Sequence, residues 1–195
     1  MIRYPDGREY TPKTTKNNKR TLNNGNLANR GMGLESDITL SSNFYNENNI
    51  ALIYKRPTPV KVLKIDKSGK VVEGYFEAKS TTDYNGIYKG RYVDFEAKET
   101  YSTTSFPISN IRDQQLTHLE GVIKQGGIGF FIIRFKTLNE TYFLDARYIL
   151  EFIKTNSRKS IPIAFVKEKG ILLKEGYAPR LDYIKGLIKI LNSKV

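Results

Sequence analysis

The chain has 195 residues, with 32 Lys or Arg against 20 Asp or Glu, for a formal charge of +12. It has no cysteine and a single histidine, His118, which excludes disulfide scaffolds, thiolate zinc sites, Cys nucleophiles and multi-His metal centres. Thirteen Tyr and ten Phe supply much of a core. With no signal-like apolar leader and no apolar run long enough to span a bilayer, the expectation is a soluble, cytoplasmic protein with no membrane contact and a polyanion as partner.

Residues 1–30 carry +5 and interleave asparagines with Lys13, Lys16, Lys19 and Arg20, which reads as a flexible basic N-terminal arm. Residues 31–195 read as one domain. A first helix is expected over 31–48, with Leu34, Ile38, Ser41 and Tyr45 down one face. Ile50 to Tyr54 reads as a short buried strand. Two prolines, Pro57 and Pro59, then exclude a central strand. Val60–Ile65 alternates, Asp66–Gly69 turns and Lys70–Glu77 returns, so a protruding β-hairpin is expected at about 58–80. Ser80–Gly86 has turn chemistry, with Asn85-Gly86 as its strongest element. Tyr88–Thr100 reads as extended.

A helix over 109–125 places Ile111, Gln115 or Leu116, Leu119, Val122 and Ile123 inward, and Gly126-Gly127 ends it. Ile128–Phe135 is a buried strand and Glu140–Leu144 its partner, with Leu138-Asn139 in the turn between. Asp145 caps a helix to about Lys154. Residues 157–180 read as irregular with short strands, and 181–191 as a closing helix. Strands and helices alternate, so the fold class is α/β.

The segment Tyr92–Lys98 carries the chemistry. Strand side chains alternate, so Asp94, Glu96 and Lys98 share one face and Val93, Phe95 and Ala97 the other. Same-face neighbours lie about 6.6 Å apart, so Glu96 and Lys98 can reach one scissile phosphate. The carboxylate would hold a divalent cation, and the ammonium would sit near the attacking water. A second carboxylate must come from elsewhere, and Asp83 lies on the turn that feeds the strand. The same residues also fit a charged strand face with an in-line ion pair. Asp94 can pair with a base instead of joining the site.

The stretches Arg30–Glu35, Lys55–Val60, Ser80–Gly86, Asp94–Thr100, Thr104–Pro107, Ile133–Phe135 and Pro179–Tyr183 together resemble the RecU family of Holliday-junction resolvases, in the PD-(D/E)xK nuclease superfamily. The pair formed by Ser80–Gly86 and Asp94–Thr100 carries most of that specificity. The resemblance implies a restriction-endonuclease-like mixed sheet flanked by helices, with the hairpin as a stalk entering the centre of a four-way DNA junction. It implies a homodimer that resolves junctions by paired nicks in recombination and repair, with recombination proteins as further partners. The metal site would be Thr81, Asp83, Glu96 and Gln115, holding Mg²⁺ with Mn²⁺ as a substitute. Lys98 would stabilise the transition state, and Glu35 matches the superfamily's extra helical carboxylate. Thr82 stands where the superfamily's proline would be, a departure that the RecU family shares.

Each residue also has a plainer explanation. Asp83 fits an Asx-turn cap, Glu35 a solvated helix acid, Gln115 a helix amide, Thr81 a turn hydroxyl and His118 a structural helix histidine. Arg30, Lys55, Arg56, Lys61 and Lys64 are expected phosphate contacts or a solvated charged surface. Tyr75 and Phe76 suit base stacking or packing equally. Two other functions stay open, a nuclease of the same superfamily with a different DNA substrate and a non-catalytic junction-binding or strand-annealing protein.

Overall fold

Aromatic side chains fill the centre of this molecule. The computed structural model describes residues 2–3, 33–76 and 81–192. The expected basic arm, apart from Ile2 and Arg3, lies outside the described residues, and so does Arg30. The chain divides into two compact units, Met1–Gly31 with Pro57–Ser80, and Met32–Arg56 with Thr81–Val195.

In chain order the elements are β1 (Ile2–Arg3), α1 (Leu34–Glu47), β2 (Leu52–Lys55), β3 (Val60–Ile65), β4 (Val71–Phe76), β5 (Tyr84–Tyr88), β6 (Arg91–Thr100), β7 (Ser105–Pro107), α2 (Asp113–Lys124), β8 (Ile128–Phe135), β9 (Glu140–Asp145), α3 (Ala146–Thr155), β10 (Ser160–Pro162), α4 (Ile163–Lys169), β11 (Ile171–Leu173) and α5 (Ile184–Asn192). The first unit is a three-stranded sheet in the order β1-β4-β3, with β1 parallel to β4 and β3–β4 an antiparallel hairpin. Its turn is locked by Asp66, whose Oδ1 accepts from Ser68 N (2.8 Å) and Lys70 N (3.0 Å). Register shifts between Val62 and Ile65 kink the hairpin.

The second unit is a mixed six-stranded sheet in the order β11-β9-β8-β6-β5-β2, flanked by helices. Only β6–β8 is parallel among its strand pairs, because α2 carries the chain from one to the other. Alternation along β8 serves two cores. Phe130 and Ile132 pack with α1 and α5 through Leu34, Ile38 and Leu187, and with Tyr183 just before α5. Phe131, Ile133 and Phe135 pack with α2 and α3 through Leu119, Ile149 and Phe152. A strand buried on both faces reads as a continuous apolar run, which is why β8 matches its expected span. Tyr84, Phe95, Phe130 and Phe143 stack across four adjacent strands, with ring centroids 5.0, 4.3 and 4.4 Å apart.

The helix α1 buries Leu34, Ile38, Ser41 and Tyr45, the expected stripe. Its N-terminus has no side-chain cap of its own, and Glu99 of β6 accepts from Leu34 N (3.1 Å) instead. Beneath it Asp37 accepts from Arg134 Nη2 (2.6 Å) and Arg180 Nε (3.1 Å), a buried ion network tying α1 to β8 and to the segment before α5.

Several expectations are corrected. The run 50–54 yields the edge strand β2 (Leu52–Lys55) instead of a buried one, with Ile53 inside and Leu52 and Tyr54 exposed. Asn85-Gly86 lies within β5 and makes no turn. The turn is Lys89-Gly90, both with positive φ (46° and 72°), the two-residue hairpin geometry that suits twisted strands. Gly86 is required for another reason, since a Cβ there would sit 2.0 Å from the Leu52 carbonyl oxygen. A helix, α4, interrupts the stretch expected to be irregular. No helix among the described residues is long and apolar enough to cross a membrane.

Candidate active site

The β5–β6 hairpin builds the site. Its register pairs Tyr84 with Phe95, so one further step along the same ladder brings Asp83 opposite Glu96. Asp83 Oδ2 accepts from the Ala97 backbone N–H (3.0 Å), and its own carbonyl accepts from Arg56 N (2.7 Å). The twelve residues between the two carboxylates are therefore a hairpin that folds back on itself.

Glu96 is buried. Its Oε1 accepts from Lys98 Nζ (2.6 Å) and from Gln115 Nε2 (2.5 Å). Its Oε2 has no donor, and Thr81 Oγ1, two residues before Asp83, is also buried without a hydrogen-bond partner. Burial, and after it the negative charge of Asp83, push the Glu96 carboxyl up to about 7 despite the opposing pull of Lys98. Two carboxylates this close resist ionising together, a cost that a bound cation would remove.

Among the described residues no cluster of three or more His, Cys, Asp or Glu side chains is placed to hold a metal. The donors here are two carboxylates and one hydroxyl, an all-oxygen set that fits a hard cation keeping waters and phosphate oxygens in the rest of its shell. The partnerless Glu96 Oε2 and Thr81 Oγ1 are the structural marks of that fit.

Of the sequence candidates, the fold brings Asp83, Glu96, Lys98 and Gln115 together, and Thr81 lies two residues before Asp83 on the same loop. Gln115 presents its nitrogen to Glu96, because its Oε1 accepts from Arg112 N (3.0 Å) at the start of α2. Glu35 is exposed at the start of α1, where its Oε2 accepts from Lys55 Nζ (2.7 Å). Arg56 is turned inward, with Nη2 donating to Asp94 Oδ2 (2.6 Å). Lys61 and Lys64 are exposed on β3 of the other unit, Lys61 lying 5.9 Å from the Tyr75 ring.

Residues around Asp94 escaped the sequence reading as a group. This carboxylate is fully buried and accepts from Arg56, from Tyr92 Oη (2.7 Å) and from Thr82 Oγ1, and its Oδ2 lies 2.9 Å from His118 Nε2. Burial and then the Asp94 carboxylate raise the Tyr92 pKa. The usable signal was spacing. His118 follows Gln115 by three on α2, and Asp94 precedes Glu96 by two on β6.

A mixed sheet carrying a carboxylate pair and a lysine is the kind of site that metal-dependent phosphodiesterases use. Comparison with known proteins then narrows the class. A family described as Recombination protein U (RecU) matches residues 29–189. The chain is 43% identical over 197 residues to a Holliday junction resolvase RecU of Geobacillus sp. (strain WCH70), covering 97% of this chain and 98% of that protein. It is 47% identical over 193 residues to that of Bacillus pumilus (strain SAFR-032), covering 95% and 93%. The chain belongs to the RecU family. Among solved structures, Hjc, a Holliday junction resolvase from the archaeal hyperthermophile Archaeoglobus fulgidus, aligns with a TM-score of 0.39 at 8% identity, covering 65% of this chain and 86% of that one.

Proposed function

We propose that this chain is a divalent-cation-dependent endonuclease that resolves four-way DNA junctions, acting as a homodimer to place paired nicks. The observation that carries the proposal is the facing pair Asp83 and Glu96, with Glu96 Oε2 and Thr81 Oγ1 buried and partnerless. Family membership and relatives named Holliday junction resolvase support the junction as substrate.

In this reading Asp83, Glu96 and Thr81 hold Mg²⁺, for which Mn²⁺ substitutes. The bound cation supplies Lewis acidity for the attacking water and the scissile phosphate. Lys98 is fixed by its Glu96 pairing with its ammonium at the site, where it stabilises charge building on the phosphoryl oxygens. Gln115 orients Glu96 from α2, and it becomes an oxygen ligand only if its amide turns over and releases Arg112. Glu35 with Lys55 forms a charged surface pair at the start of α1. Lys55, Lys61 and Lys64, together with Arg30, contact phosphates and recognise shape over sequence. The β3–β4 hairpin is the stalk, and its exposed Leu63, Ile65 and Val71 give it an apolar surface between lysines. The exposed Leu52 and Tyr54 of the edge strand β2, with Ile87 opposite Leu52 on β5, are an apolar strip suited to the second copy.

The deciding experiment is cleavage of a mobile four-way junction and of linear duplex, with and without Mg²⁺, by wild type and Glu96→Ala. Junction-selective, Mg²⁺-dependent nicking that the mutant loses while still binding is the expected result. Equal cutting of both DNAs would sink the junction assignment, and binding without cutting by wild type would sink the catalytic one.

A further inference from the structure

Asp94 is the most heavily hydrogen-bonded side chain near the site, yet the chemistry above does not use it. It is 0% exposed, and an unpaired carboxylate there would be strongly unfavourable. Its partners come from four places. Arg56 follows β2, Thr82 precedes Asp83 on the loop before β5, Tyr92 stands on β6 itself and His118 stands on α2.

Those positions form a frame around the carboxylate pair. Along β6, Asp94 and Glu96 are same-face neighbours about 6.6 Å apart. Along α2, Gln115 and His118 are three apart and share a face. The contacts Asp94–His118 (2.9 Å) and Glu96–Gln115 (2.5 Å) are thus two parallel rungs between one strand and one helix. A helix joined to a strand by one rung can pivot about it, and the second rung stops the pivot. On the other side, Thr82 binds Asp94 directly, and Arg56 binds Asp94 by its side chain and the Asp83 carbonyl by its backbone N–H (2.7 Å). The loop bearing Asp83 is therefore pinned to the strand residue two before Glu96.

We propose that Asp94 is a positioning residue for the Asp83–Glu96 pair. Acting through His118 it holds α2, and so Gln115, against Glu96, and through Thr82 and Arg56 it holds the Asp83 loop. Arg56 works inward in this arrangement. Its guanidinium is neutralised by Asp94, and it belongs to the frame more than to the phosphate-contacting surface.

The proposal rests on the reading of Asp83 and Glu96 as cation ligands, and its test separates the two. Mn²⁺ binding to the DNA-free protein is followed by the loss of the free-ion EPR signal, for wild type, Asp94→Asn, His118→Ala, the double variant and Glu96→Gln. Circular dichroism melts report folding independently. The expected result is binding weakened about 10- to 100-fold in Asp94→Asn, as for other groups that orient metal ligands from outside. His118→Ala weakens it in the same direction, and the double variant is no weaker than Asp94→Asn, since both act along one path. Wild-type Mn²⁺ affinity in a folded Asp94→Asn overturns the proposal. If that variant does not fold, wild-type affinity in His118→Ala overturns it, because that half-buried helix position tolerates truncation. Wild-type affinity in Glu96→Gln would defeat the underlying ligand assignment and the positioning role with it, whatever Asp94→Asn does.

Discussion

Replacing Glu96 by Gln should make the metal-free protein more stable at alkaline pH while disabling it. Burial lifts the Glu96 pKa from 4.5 to about 7, with the Asp83 charge adding to the rise and Lys98 opposing it. A carboxyl whose pKa is higher folded than unfolded binds more protons in the folded state, so stability falls as pH rises between those two values. At ~1.4 kcal/mol per pKa unit, the ionised side chain costs the cation-free protein about 3 kcal/mol above pH 7 and nothing below pH 4.5. Gln keeps the shape and an acceptor for Lys98 and Gln115, and removes the charge. Urea unfolding in EDTA, run for both proteins from pH 4.5 to 8, should therefore show the mutant gaining about 3 kcal/mol on wild type across the range. Mg²⁺ at pH 8 should close the gap by stabilising wild type alone. Curves that stay parallel to within ~1 kcal/mol would show that Glu96 is not held ionised against its environment, and the cation argument would lose its footing.

Lys98→Met should lower the rate of junction cleavage about 10²- to 10³-fold with junction binding kept, measured by single-turnover nicking beside gel shift. Lys61→Ala and Lys64→Ala should each flatten the plot of log affinity against log salt by about one, and an unchanged slope would remove those lysines from the phosphate-contacting set. Arg134→Met should destabilise the fold by about 3 kcal/mol in urea titrations, since it strips one of two arginines from the buried Asp37. Gly86→Ala should cost about 2 kcal/mol or more in the same assay, because its Cβ would push β2 away from β5, and a neutral result would mean the strands part freely.

How far the sequence could be read depended on whether a signal was local. The α1 stripe and the β8 run follow from periodicity alone, since one face or both faces are buried along their whole length. The edge position of β2 could not be read, because an apolar pentapeptide looks alike whether both faces or one is covered. The partnership of Asp83 with Glu96 hinged on one turn. With the reversal at Lys89-Gly90 the ladder itself pairs 83 with 96, whereas a turn at Asn85-Gly86 breaks that ladder. Asn-Gly is the stronger turn signal in isolation, and the tight approach of the Leu52 carbonyl, a tertiary fact, explains its glycine instead. Glu96 and Lys98 were legible from alternation. Gln115 was legible as an inward helix position, but its amide's orientation was not, because that depends on Arg112 N. The gathering of Arg56, Thr82, Tyr92 and His118 on Asp94 joins four separate segments, and no local pattern could announce it.

The Gln115 amide also explains a residue choice. Three residues into the reach of a helix start, Glu and Gln serve equally well to accept from the first free backbone N–H. Here only one of them works, because the same side chain must also donate a hydrogen bond to a buried anion. Glutamate would meet the first demand and oppose the second by putting a like charge against Glu96, and leucine or alanine would fail both. Substitutions at 115 should therefore fall into a narrow ranking, with Asn too short, Glu repelled and His the nearest mimic. The opening of a helix and the electrostatics of a reaction centre are thus selected at a single position.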